Sequence, residues 1–135
     1  MATRTIYDGS IQVSGSDYTH SIEQGDDFVE VAIEDLDKPV TKRAVLQFTL
    51  DYPFEREHQG EVRTDGGATL RQIIDAIRTA YRTMYRDPVV EPIADLDNKR
   101  VRGAYGEAYH VIEDLVIEGI ELDDETGRLE IIIGS

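Results

Sequence analysis

The sequence predicts an α+β fold of two layers, a mostly antiparallel sheet of four to five strands covered by one long helix. Three observations predict it. Leu70 to Arg86 carries apolar residues at three- and four-residue steps, the period of a helix with one buried face. Segments on both sides of it alternate apolar and polar residues, the period of half-buried strands. Turn-forming Asp, Gly and Pro residues separate those segments, as in hairpin-joined strands.

Taken in order, Tyr7-Asp8-Gly9-Ser10 lies between Ile6 and Ile11-Gln12-Val13, and Asp-Gly inside apolar alternation predicts a hairpin there. Ser14 to Asp27 is polar and glycine-bearing, and reads as a loop or mobile N-terminal lead-in. Phe28 to Glu34 alternates, with Val29, Val31 and Ile33 on one side. Ala44 to Leu50 does the same, with Ala44, Leu46, Phe48 and Leu50 inward. These two are expected to pair across Asp35 to Arg43. Asp51-Tyr52-Pro53-Phe54 leaves the sheet, because proline has no donor for a central ladder. Glu55 to Gly67 reads as a polar run leading to the helix.

At the helix start, Thr69 and Gln72 form a capping-box pattern that satisfies free backbone donors. Asp87-Pro88 stops the helix, since proline disfavours helical geometry in the residue before it. Residues 88–103, with two prolines and mixed charge, read as an exposed mobile loop. Asp114 to Leu122 returns to strand alternation but slips at Glu118-Gly119. A one-residue bulge there places Leu115, Ile117, Ile120 and Leu122 on one buried side. Asp123 to Gly127 is a tight turn with Gly127 suited to positive φ. Arg128 to Ile133 pairs back, with Leu129, Ile131 and Ile133 inward. Val45 and Ile132 give the outer face of the sheet an apolar character, leaving room for a second layer or a partner.

Residues 1–135 read as one domain, long enough to bury roughly 70% of its unfolded surface. The absence of cysteine excludes disulfides, thiolate nucleophiles and cysteine-ligated metal centres. No apolar run approaches the ~20 residues of a membrane span, and the first residues lack a signal-peptide core, so a soluble cytoplasmic protein is expected. With 28 acidic and 14 basic residues the net charge is −14, which disfavours nucleic acid and anionic membrane as partners. Lysine is confined to Lys38, Lys42 and Lys99, while arginine is abundant. Acid-rich, lysine-poor chains resemble proteins adapted to high salt; a GC-rich genome is the alternative source of the same bias.

Against that acidic background the helix surface reverses sign. Arg71, Arg78, Arg82 and Arg86 share its polar side with Asp75 alone. These are the candidate binding residues, either for an acidic face of another copy or for an anionic ligand. The competing reading is a solvated helix face held by i,i+3 and i,i+4 pairs. A second candidate lies in Gly103 to Asp114. His110 and Asp114 sit four apart, so a helical turn would let the carboxylate orient the imidazole, with Tyr105 and Tyr109 beside it. Equally, His110 can be a structural residue bonded to backbone. The acidic clusters Asp26-Asp27, Asp95–Asp97 and Asp123–Glu125 lack EF-hand spacing, and no cofactor or metal is expected.

Three stretches, TLRQIIDAIRTAYRTMYRD from Thr69, YGEAYHVIEDLVIEGIEL from Tyr105 and the terminal RLEIIIGS, resemble a small family of uncharacterised, mainly plant proteins. The likeness covers about the second half of the chain. It lies in a helix with a tyrosine pair near its end, a Tyr-Gly…His…Asp-Leu…Glu-Gly run and a strand closing on Gly-Ser. It draws attention to Tyr105, Gly106, His110, Asp114, Glu118 and Gly119, and it implies no activity. Between Tyr105-Gly106 and His110 the chain reads Glu-Ala-Tyr where the family pattern has glycine and tryptophan.

The sequence thus points to a non-enzymatic interaction or self-assembly domain. Its arginine-rich helix face and exposed sheet surface would bind another copy or another protein. The alternative is a small-molecule-binding protein or enzyme with its site near His110, Asp114, Tyr105 and Tyr109 and the helix tyrosines Tyr81 and Tyr85.

Overall fold

The helical stripe folds as expected into α1, Leu70–Met84. The Thr69 hydroxyl accepts the Gln72 N–H at 3.2 Å, and the Gln72 side chain accepts the Thr69 N–H at 2.9 Å, which completes the capping box. Leu70, Ile73, Ile74, Ile77, Ala80, Tyr81 and Met84 are buried along one side. The computed structural model that holds this helix describes residues 3–86, 88–92 and 99–135. Asp87, assigned above to the helix stop, and the cluster Asp95–Asp97 lie outside the described residues.

The chain is α+β, and its strands are mostly antiparallel, but the described residues form ten strands in three sheets rather than one sheet of four to five. The main sheet contains β1 (Thr3–Gln12), β4 (Val45–Leu50), β5 (His58–Arg63), β9 (Val116–Asp123) and β10 (Arg128–Gly134), in the order β1-β9-β10-β4-β5. Among the described strands only β10 and β4 run parallel, where Arg128 faces Gln47. Two smaller sheets add β2 (Thr19–Gln24) with β3 (Asp27–Ala32), and β6 (Val89–Pro92), β7 (Lys99–Gly103) and β8 (Gly106–Ala108). The helix packs beside β5, and its apolar side joins Leu46, Phe48, Leu50, Ile117, Ile120 and Leu122 in one buried cluster.

Several expectations are corrected. Asp8-Gly9 is no hairpin: β1 runs straight through it, because β9 offers a partner along its whole length, from Thr3 opposite Asp123 to Gln12 opposite Val116. A register shift between Asp8 and Ile11 absorbs the irregularity instead. Ser14 to Asp27 is not all loop, since β2 lies within it and pairs with β3. Consequently β3 does not pair with β4, whose neighbours are β5 and β10. The run from Glu55 to Gly67 contains β5, and the stretch 88–103 contains β6 and β7, which pair from Val89 opposite Arg102 to Pro92 opposite Lys99. β2, β5 and β7 are polar on both faces or nearly so and lack the alternation that marks a half-buried strand, while β6 is four residues long and ends on Pro92.

Other expectations hold. Between β9 and β10 the register steps from Gly119 to Ile117 while β10 advances from Ile132 to Ile133, so Glu118 is the bulged residue. Leu115, Ile117, Ile120 and Leu122 are all fully buried as a result. Gly127 has φ +75, a conformation that suits glycine in this turn. The outer face of the main sheet is less apolar than expected. Ile132 is exposed, but Gln47, Gln59, Glu61, Arg128 and Glu130 are exposed polar residues on strands of the same sheet.

Candidate functional site

The helix arginines do not form one exposed face. Arg78 is 2% exposed, and its guanidinium donates to the Gln12 carbonyl at 2.8 and 3.2 Å and to the Asp17 carbonyl at 2.7 Å. It staples α1 to the chain between β1 and β2. Burial makes its positive charge less favourable and lowers its pKa. Arg71 forks onto Asp37 at 2.7 and 3.1 Å and lies 4.4 Å over the Tyr18 ring. Arg82 and Arg86 are exposed. Of the four candidate residues, two hold the fold together and two remain at the surface. Arg78 falls four residues after Ile74 and three before Tyr81, so its place on the buried side was readable from spacing.

A groove of about 530 Å³ runs between α1 and β5, lined by Gly60 and Val62 with Phe48 beneath, and by Gln72, Asp75, Ala76, Thr79 and Thr83 on the helix. Among the described residues β5 ends the main sheet. The Thr64 N–H donates to the Ala44 carbonyl at 2.8 Å, and this bond sets the alternation along β5. Thr64, Val62, Gly60 and His58 turn their backbone groups toward β4, so Gln59, Glu61 and Arg63 turn theirs toward the open side. Gly60 keeps this strand close to its neighbour: a Cβ there would lie 2.3 Å from the Phe48 ring. Asp75 accepts the Tyr18 hydroxyl at 2.5 Å, and Arg63 pairs with Glu61 at 2.6 Å on the outer face.

The second region is the corner around His110. Asp114 Oδ2 lies 3.5 Å from His110 Nδ1, but not through the expected helical turn: Gly106–Ala108 is β8, Val111 is extended, and a 3-10 turn covers Ile112–Asp114 only. His110 Nε2 lies 3.3 Å from the Ser135 hydroxyl, which in turn lies 2.7 Å from the Tyr52 hydroxyl. Tyr85 donates to the His110 carbonyl at 2.8 Å and Tyr81 to the Tyr52 carbonyl at 2.6 Å. Burial pushes the hydroxyl pKa of both tyrosines well above its usual value. Tyr105 is elsewhere: its hydroxyl meets His58 Nδ1 at 2.8 Å. Tyr109 is exposed. The corner therefore unites His110, Asp114, Tyr81 and Tyr85 with two residues the spacing did not suggest, Tyr52 and Ser135.

A serine, a histidine and an aspartate in line have the order of a nucleophile, a base and its orienting acid. A cavity of about 290 Å³ beside Tyr52 is lined by Thr49, Tyr81 and Ile133 as well, and not by His110 or Asp114. Among the described residues, no three His, Asp or Glu side chains come together to hold a metal ion. No helix of the described chain is long and apolar enough to cross a membrane.

Protein-family models, curated proteins and solved structures give no match to this chain. What the two regions can do rests on their own chemistry. Sequence reasoning missed the β5 edge. Its signal was present, with Gln59, Glu61 and Arg63 alternating against His58, Gly60 and Val62. A glycine and a histidine on the inner side removed the apolar contrast that marks a strand.

Proposed function

We propose that this chain is a non-enzymatic interaction domain that binds an extended segment along β5. The observation that carries the reading is the row of backbone donors and acceptors at Gln59, Glu61 and Arg63 that have no partner among the described residues, set beside the groove against α1. An added strand gains main-chain hydrogen bonds from such an edge, and its alternate side chains enter the groove toward Ala76 and Thr79. The arginine contribution narrows to Arg82 and Arg86, because Arg71 and Arg78 are committed to Asp37 and to backbone carbonyls. The test is selection from a display library of random ten-residue peptides at low protein concentration, followed by NMR titration of the strongest binder. Shifts centred on the amides of Gln59, Glu61 and Arg63, abolished by Glu61→Pro, are expected. Binders that perturb another surface would overturn the reading.

The alternative reading, a small-molecule or hydrolytic site, is favoured by the Ser135–His110–Asp114 line. Its test is covalent labelling by a fluorophosphonate, read by intact mass. Labelling at Ser135 that disappears in His110→Gln would support it, and an unlabelled protein would remove it.

A further inference from the structure

We propose that the segment occupying the β5 edge is β5 of a second copy of this chain, paired antiparallel to itself about Gly60. This rests on the interaction reading above and names its partner. The two edges of the main sheet differ. β1 carries register shifts at Thr5–Tyr7 and Asp8–Ile11, and bulges of this kind blunt an edge against pairing. β5 is in unbroken register with β4 from His58 to Arg63 and contains neither lysine nor proline, and its two charged side chains, Glu61 and Arg63, pair with each other at 2.6 Å.

The register follows from the backbone. In an antiparallel pair, residues whose backbone groups face the partner must lie opposite one another. Gln59, Glu61 and Arg63 supply those groups, so the two-fold axis must pass through a residue of β5 and not between two. Two registers keep the strand paired over most of its length. Centring on Glu61 sets Glu61 against Glu61 of the partner subunit, a like-charge pair. Centring on Gly60 sets Gln59 against Glu61 of the partner subunit, and Glu57 against Arg63 of the partner subunit, twice by symmetry. The Glu57 carboxylate already sits on that outer face, where it accepts from Gln59 at 3.3 Å. At the axis, two glycines leave the strands free to approach.

Opposing this pairing is the charge of −14 on each copy, which salt screens. The experiment is sedimentation velocity from about 5 to about 500 µM in about 0.5 M KCl. It compares the natural chain with Glu57→Arg, Arg63→Glu, the double variant carrying both, and Glu61→Pro. Each single reversal should weaken self-association about tenfold or more, and the double variant should recover to within about threefold of the natural chain. Glu61→Pro should stay monomeric while keeping the native circular dichroism spectrum. A natural chain that is monomeric throughout overturns the second-copy proposal, and peptide selection then judges the interaction reading on its own. A dimer indifferent to Glu61→Pro, or one weakened by both single reversals without recovery in the double, also overturns it.

Discussion

The β5 edge and the His110 corner both carry polar groups and differ in how fully those groups are used. In the corner each named group has a partner: Tyr85 has the His110 carbonyl, Tyr81 has the Tyr52 carbonyl, and Ser135 bridges Tyr52 and His110. The corner is a clasp that ties the start of β9, the end of α1 and the end of β10 together. At the edge the backbone of Gln59, Glu61 and Arg63 has no strand partner among the described residues and lies next to a groove of about 530 Å³. Satisfied polar networks give rigidity, whereas unsatisfied backbone beside a groove gives recognition. The histidines follow the same division of labour. His20 meets Tyr7 at 3.0 Å and His58 meets Tyr105 at 2.8 Å, both bridging distant parts of the chain.

Proline substitution should break this comparison most sharply. Val62→Pro removes a donor that faces β4 together with a buried side chain, so it should destabilise the fold by about 3 to 5 kcal/mol. Glu61→Pro removes a donor that faces outward, and urea denaturation should register a change below about 1 kcal/mol. Equal losses would mean that the alternation along β5 is wrong.

The buried and exposed arginines offer the next contrast. Arg78→Ala leaves the Gln12 and Asp17 carbonyls without their charged donor and opens space under α1, a loss of about 2 to 4 kcal/mol. Arg82→Ala should change stability by less than about 0.5 kcal/mol. Thermal unfolding of the two variants side by side checks this.

Smaller effects belong to the corner. Tyr85→Phe deletes one hydrogen bond to the His110 carbonyl and should lower stability by about 1 kcal/mol in a urea titration. Alkali acts in the same direction through the buried tyrosines. Burial pushes the Tyr7 hydroxyl up to about 12 from 10.0, and Tyr81 and Tyr85 are raised as well. Below pH 10 all are protonated, folded or unfolded, and their contribution is complete. As the pH rises from 10 toward 12 the unfolded chain ionises first, so stability falls across that window. A urea midpoint that stays flat through it would contradict the burial of these hydroxyls.

Much of the core was legible because its pattern is physical and local. The α1 stripe, its capping box, the Glu118 bulge and the Gly127 turn each follow from residues a few positions apart. The pairing of strands was not, because register depends on partners far along the chain: β1 finds β9, and β4 finds β10 and β5. Asp8-Gly9 is a turn signal overridden by that long-range partner. The site was legible in part. His110 and Asp114 come together, but without the expected helical turn, while Tyr105 turns to His58 and Ser135 arrives from the end of β10. The arginine face misled because residue type was weighed over position: Arg78 shares the buried stripe of Ile74 and Tyr81, and its guanidinium reaches the Gln12 and Asp17 carbonyls.

Amide hydrogen exchange along β5 tests the central claim most directly. At low protein concentration the amides of Gln59, Glu61 and Arg63 should exchange rapidly while those of Gly60 and Val62 are protected, and protection of the first three should grow as the concentration rises. Protection of Gln59, Glu61 and Arg63 equal to that of Gly60 and Val62 in the dilute monomer would show the edge already closed and would contradict the account.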